Sequence, residues 1–139
     1  MKTVFFVCII SLLMLNNASA KSVNTATKVE VLAKSTKSWN GDQLPKYSTA
    51  DPEITILKIT IPAGTKLPLH QHNMINAGVL LKGQLTVVTE DNDTLHMKAG
   101  DTIVEVVNKW HYGKNDGLVP AEIIVFYAGT VGEPLSIKK

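Results

Sequence analysis

Hydrophobic and polar residues alternate in short runs along most of this chain, and turn-forming residues separate the runs. Residues 54–61 alternate at most positions and end at Pro62-Ala63-Gly64. Neighbouring side chains of a strand point to opposite faces, so a period of two predicts half-buried strands. The other predicted strands are 29–33, 79–81, 84–90, 94–98, 102–107 and 121–128. Short strands separated by turn residues, without a long helical pattern, predict an all-β sandwich or barrel.

The first twenty residues have a different pattern. Lys2 is followed by an uncharged apolar run at 4–15 and then by Ala18-Ser19-Ala20. This order predicts a secretory signal peptide cleaved before Lys21. The alternative is an uncleaved anchor, but a membrane span needs roughly 20 apolar residues. We therefore expect an exported protein, periplasmic or secreted, with no membrane attachment after cleavage. The only cysteine, Cys8, lies in the signal peptide, so no disulfide is expected in the mature chain.

The length of 139 residues suits one domain. We divide the chain into a signal peptide (1–20), an N-terminal arm with a first strand (21–52), a β-barrel domain (53–130) and a C-terminal tail (131–139). A strand at 29–33 would leave an open edge, and open edges can pair between chains. This favours a homodimer.

Composition narrows the classes of partner. All 14 basic residues are lysines, and the net charge is only +2. This balance argues against nucleic-acid or membrane-surface partners. The absence of arginine argues against a site built on bidentate recognition of phosphate or carboxylate groups. We expect a small molecule as the partner.

Three of the four histidines are candidates for metal binding. His70 and His72 are one residue apart in a strand context, so both point to the same face. His111 follows a separate strand and turn and can reach the pair from a neighbouring strand. Three imidazoles that converge in this way can hold one metal ion; the alternative is a hydrogen-bonded pair of histidines at the barrel mouth. His96 lies between the apolar residues Leu95 and Met97 and is expected on the surface.

The residues around these histidines resemble the two motifs of the cupin family. The positions of the first motif are occupied by Gly64, His70, His72, Asn76 and Gly83, and those of the second by Gly100, Val106, Asn108, His111 and Asn115; three of these residues, Asn76, Val106 and Asn108, differ from the family's. The spacings agree in both motifs. The resemblance implies a double-stranded β-helix, which is a jelly-roll barrel, with His70, His72 and His111 as metal ligands. It implies a divalent ion, for which we consider zinc, iron and manganese comparable.

Asn76 is the main departure from the family pattern. Cupins usually have a glutamate there, and it completes a site of three histidines and one carboxylate. An amide oxygen is neutral and a weaker ligand. The site is then either three histidines with open positions or three histidines with a weak or indirect contribution from Asn76. Val106 and Asn108 replace a proline and a glycine, and asparagine tolerates the left-handed backbone that glycine would supply.

Glu105 is a tentative catalytic residue. Strand parity allows it to point inward with Ile103 and Val107, as a base or as a partner of a histidine. The alternative parity places it in solvent, with Thr102, Val104 and Val106 inside. Two functions remain open for the chain: a metal-dependent enzyme of the dioxygenase type, similar to quercetin dioxygenases, and a non-catalytic barrel that binds metal or a small ligand.

Overall fold

The computed structural model of the protein describes residues 26–139. The predicted signal peptide and Cys8 lie outside these residues. The described residues form nine β-strands and no helix. The strands are β1 (Pro52–Ile61), β2 (His70–Gln71), β3 (Ile75–Lys82), β4 (Gln84–Thr89), β5 (Thr94–Lys98), β6 (Thr102–Val104), β7 (His111–Lys114), β8 (Ala121–Thr130) and β9 (Ile137–Lys138). This part of the chain therefore has no helix long and apolar enough to cross a membrane.

The strands form two antiparallel sheets that face each other. The four-stranded sheet has the order β1-β8-β3-β6, and the five-stranded sheet has the order β5-β4-β7-β2-β9. Both sheets contribute to one apolar core, for example Ile123 and Val125 from β8 and Leu85 and Val87 from β4. The all-β, double-stranded β-helix architecture predicted from the sequence is confirmed.

The long pair β1 and β8 shows why the alternating sequence forms this sheet. The two strands pair along their full length, with Leu57 opposite Val125 and Ile59 opposite Ile123. These residues pack against the core, while Ile56, which precedes Leu57 in β1, is exposed on the outer face. Each apolar residue of the inner face removes apolar surface from water, and this burial stabilises the fold by roughly 25 cal/mol per Å².

The first strand predicted in the N-terminal arm is not formed. Residues 29–33 have no strand partner among the described residues and are exposed, with Val29 at 82% and Val31 at 73%. Alternating apolar residues favour a strand only where a neighbouring strand accepts their backbone hydrogen bonds. The predicted strand at 102–107 is also shorter, because β6 ends at Val104.

Further along the arm, a turn fastens the chain to the end of β6. Lys37 forms a bridge with Gln43, and Gly41 takes a φ of 95° between them. The backbone N–H of Trp39 donates to the carbonyl of Val104 over 2.9 Å. The turn therefore places the Trp39 side chain beside the residue that follows β6, although the two are far apart in sequence.

Candidate metal centre

Strand pairing brings the three predicted histidines together. His70 on β2 lies directly opposite His111 on β7, and His72 comes just after β2. The ring centroid of His70 is 5.0 Å from that of His72 and 4.5 Å from that of His111, and the third distance is 5.0 Å. One nitrogen from each ring lies within 4.8 Å of the other two. We call His70, His72 and His111 the histidine cluster.

Backbone carbonyls hold each ring of the histidine cluster from behind. The Nδ1 atom of His70 lies 2.8 Å from the Pro68 oxygen, and that of His111 lies 2.9 Å from the Lys109 oxygen. The Nδ1 atom of His72 lies 2.6 Å from the oxygen of Leu135. A carbonyl oxygen can only accept, so each Nδ1 must carry the proton and donate it. Each Nε2 then keeps its lone pair, which is the form of imidazole that binds metals.

Burial favours the same neutral form for two rings of the histidine cluster. Burial lowers the pKa of His72 to about 4, with a further contribution from the nearby His111. Burial also lowers the pKa of His111 to about 4, and the neighbouring His70 adds to this effect. Both rings are therefore uncharged at neutral pH and available to a cation.

Asn76 lies in the wall of the same cavity, on β3 of the facing sheet. Its side chain is buried, and its Nδ2 atom donates a long hydrogen bond of 3.5 Å to the Met74 oxygen. The motif spacing thus predicted its position in the cavity. Its role towards a metal ion stays a prediction.

Glu105 points into the barrel and not into solvent, which is the inward orientation that strand parity allowed. Its Oε1 atom accepts hydrogen bonds of 3.0 Å from Trp39 Nε1 and of 3.0 Å from the backbone N–H of Val106. The same oxygen lies 3.8 Å from Nε2 of His111. Burial raises the pKa of Glu105, and the two hydrogen bonds act in the opposite direction. Val106 is buried as well, because β6 has ended and the alternation no longer applies.

The cavity between the two sheets has a volume of about 80 Å³. Its polar lining consists of the histidine cluster, Asn76, Glu105 and Tyr127, whereas aliphatic side chains line most of the remainder. The Tyr127 ring lies 5.5 Å from that of His72, and burial raises its pKa. A wider cleft of about 510 Å³ lies on the surface around residues 45–48 and 128–133 and does not contain the histidine cluster.

Two parts of the site were not identified from the sequence. Trp39 was assigned only to a turn, and its indole contact with Glu105 spans 66 positions of the chain. The C-terminal tail supplies β9, which pairs with β2 at His70 and Gln71, and the Leu135 carbonyl that holds His72. The alternation around Ile137 was the only signal for β9, and it is very short. His96 is exposed and contacts Thr86, as expected of a surface histidine.

Comparisons with known proteins agree with this architecture. The family model of the cupin domain matches residues 57–127, which is slightly more than half of the chain. No curated protein matches the chain. Among solved structures, an RmlC-like cupin family protein with a double-stranded β-helix fold from Methanocaldococcus jannaschii has a TM-score of 0.52 and 20% identity, over 75% of this chain and 87% of that one.

Two structurally similar enzymes are considerably longer than this chain. Oxalate oxidase in complex with the substrate analogue glycolate has a TM-score of 0.51 and 22% identity, over 61% of this chain and 45% of that one. A DMSP lyase from Ruegeria pomeroyi has a TM-score of 0.55 and 19% identity, over 62% and 43%. The match therefore covers less than half the length of either enzyme, and at these identities it describes the fold alone.

Proposed function

Because this chain belongs to the cupin family, we propose that the histidine cluster binds one divalent metal ion and that the protein acts on a small molecule beside it. One observation carries the proposal: all three Nδ1 atoms donate to backbone carbonyls, which leaves three Nε2 lone pairs free. Side chains that served only in packing would have no reason to share this arrangement. Holding the ligand rings in advance reduces the ordering required when the ion binds.

The dimensions of the cavity support a small substrate. Pockets for drug-sized ligands have volumes of roughly 300–1,000 Å³, whereas this cavity has about 80 Å³. A molecule of a few non-hydrogen atoms fits inside this volume, whereas a flavonol would have to extend out of it. We therefore propose an acid, an enol or a similar molecule of about two to four carbons that binds through oxygen, in preference to the quercetin-like substrate that the family resemblance suggests.

The metal, when bound, supplies a Lewis acid with positions open to a substrate. Zinc, iron and manganese all accept imidazole ligands, and the nitrogen-rich donor set does not exclude any of them. The residues of this chain have other tasks. Asn76 and Tyr127 can hydrogen-bond to a ligand in the cavity, Glu105 can accept a proton there, and the aliphatic lining restricts water.

The alternative is a barrel that binds metal or a small ligand without catalysis. Asn76 favours this alternative, because an amide in place of the usual carboxylate is also expected in a cupin that has lost its catalytic activity. The test is protein purified without a polyhistidine tag, analysed for metal content, then loaded with Fe(II) and supplied with oxalate, glycolate and small enols. Consumption of oxygen or of substrate supports the enzyme. Bound metal without turnover of any of these substrates supports the binding module. Absence of metal contradicts the enzyme and the metal-binding form of the alternative, and leaves only a barrel that binds a small ligand without metal.

We also propose that the mature protein is exported and dimeric. Export rests on the pattern of residues 1–20 and predicts a mature chain beginning near Lys21. The dimer rests on the exposed apolar residues of the arm, since Val29, Val31 and Leu32 are 82%, 73% and 58% exposed. Mass spectrometry of the exported fraction tests the cleavage, and sedimentation tests the dimer. An intact Met1 in that fraction or a monomer at high concentration would contradict the respective statement.

A further inference from the structure

The cavity contains one acidic side chain, and it is not at the family position. Its other polar groups are the histidine cluster, the Asn76 amide and the Tyr127 phenol. A divalent cation held by neutral ligands alone carries its full charge into an environment of low dielectric constant, which is unfavourable without a nearby anion. Glu105 is the residue of this cavity that can supply the anion.

Glu105 has no other charge partner in the part of the chain that the structure describes. The residue is only 8% exposed. Its one ion-pair contact is to His111, which is neutral in the form that binds metal. Burying a carboxylate away from water is unfavourable unless it is paired or coordinates a metal. The unusual placement of Glu105 is therefore explained if a cation occupies the cavity.

The hydrogen bonds of Glu105 also fit this role. Trp39 Nε1 and the Val106 N–H both donate to Oε1. No described residue donates a hydrogen bond to Oε2. The two donors therefore fix the carboxylate through Oε1. Because this oxygen also lies 3.8 Å from Nε2 of His111, the negative charge is held beside the histidine cluster, where a cation would bind.

We propose that Glu105 supplies the negative charge of the metal centre, in place of the glutamate that cupins usually have at the position of Asn76. We also propose that Trp39 positions the Glu105 carboxylate. The carboxylate has in effect moved from β3 to the end of β6, within the same cavity. This inference rests on the proposed metal site but assigns a residue and a charge that the motif resemblance does not. It also gives the N-terminal arm a function, because the arm delivers the Trp39 indole.

Glu105→Gln is the decisive variant, since it removes the charge while its amide oxygen can still accept from Trp39 and Val106. We expect its affinity for Zn(II), measured by competition with a chromophoric chelator, to fall at least tenfold. Thermal unfolding of the metal-free variant should occur at or above the wild-type temperature, because a buried charge is removed. Glu53→Gln is the matched control: it removes the same charge from an exposed position and should leave affinity unchanged.

Trp39→Phe keeps a ring but removes the indole donor, and we expect a smaller loss of affinity, about threefold. It also serves as the test if Glu105→Gln fails to fold. Wild-type affinity in Glu105→Gln, or in Trp39→Phe where the first variant does not fold, would overturn this inference and leave the metal site standing. A wild-type protein that does not bind Zn(II), Fe(II) or Mn(II) would overturn the proposed function and this inference together.

Discussion

The two sheets contribute different halves of the site. The five-stranded sheet carries the histidine cluster, and a backbone carbonyl holds each of the three imidazole rings. The four-stranded sheet faces it with Asn76 on β3, Tyr127 on β8 and Glu105 just after β6. On this side the polar groups are held by side-chain contacts, such as Trp39 to Glu105, or only weakly, as at Asn76. The nitrogen atoms that would bind a metal ion therefore lie on the five-stranded sheet. The carboxylate and the other hydrogen-bonding side chains of the cavity lie on the four-stranded sheet.

This difference predicts a hierarchy of effects. Changes to the histidine cluster should abolish metal binding, because they remove lone pairs that no other residue of the cavity replaces. Changes on the facing sheet should adjust affinity and reactivity while a metal is still bound.

Replacing any one histidine of the cluster by alanine should reduce metal affinity by more than about a hundredfold, since loss of a ligand should exceed the 10–100-fold effect typical of residues behind a ligand. Zn(II) titration of the three single variants measures it. His96→Ala is the control, because that histidine is exposed and lies on another strand. Equal losses in the control and the cluster variants would mean that the site is elsewhere.

Ending the chain after Gly132 should reduce metal affinity about 10–100-fold. The truncation removes β9 and the Leu135 carbonyl that holds His72. It leaves all three histidines in place, so it separates the presence of ligands from their orientation. Metal titration should accompany thermal unfolding of the metal-free protein, to show that the shortened barrel is folded. A folded truncated protein with wild-type affinity would show that the tail does not orient the site.

The metal-free protein should lose stability as the pH falls from about 6.5 towards 4. His72 and His111 have pKa values of about 4 in the folded state, so the unfolded state takes up protons first. The free energy of unfolding should fall by about 1.4 kcal/mol per pH unit for each of these histidines. The raised pKa of Glu105 acts in the opposite direction above its ordinary value of 4.5. Glu105→Gln should therefore show the steeper decline.

Urea unfolding at several pH values in a chelating buffer measures this dependence. His72→Ala should flatten it relative to wild type. A stability that is independent of pH between 6.5 and 4 in both wild type and Glu105→Gln would contradict the buried neutral histidines.

Changes at Asn76 should have the smallest effects. Asn76→Ala should lower metal affinity less than tenfold, because a neutral amide contributes little to a cation. Asn76→Glu should raise affinity, since opposite unit charges ~4 Å apart interact by about 4 kcal/mol at an effective dielectric near 20, less the desolvation of the new carboxylate. It should also slow turnover if the open position serves a substrate. Calorimetric titration of wild type and both variants measures this, and three equal affinities would place residue 76 outside the metal's influence.

Much of the fold could be predicted from the sequence, because its signals are local. The strand predicted at 94–98 coincides with β5, and the turn before it contains Asn92 with a φ of 69°. The motif spacing located the histidine cluster because strand periodicity relates sequence distance directly to side-chain direction. Asn108 takes the positive φ, 55°, that was expected where the family motif has a glycine.

The features that the sequence did not predict depend on contacts between distant parts of the chain. The parity of Glu105 depends on where β6 ends, and valines occupy both parities around it. The approach of Trp39 to Glu105 and the pairing of β9 with β2 join segments about 66 positions apart. At residues 29–33 the sequence instead predicted an element that is absent. The alternation there indicated a strand, but the described residues offer it no partner strand.

We propose above all that His70, His72 and His111 bind one metal ion through their Nε2 atoms. The most direct measurement is a crystal structure of the protein soaked with Zn(II), with anomalous data collected at the zinc edge. We predict one ion in the cavity between the sheets, about 2.0–2.1 Å from each Nε2 atom. An empty cavity at full zinc occupancy elsewhere on the surface, or an ion bound through Nδ1 with the carbonyl hydrogen bonds broken, would contradict the claim.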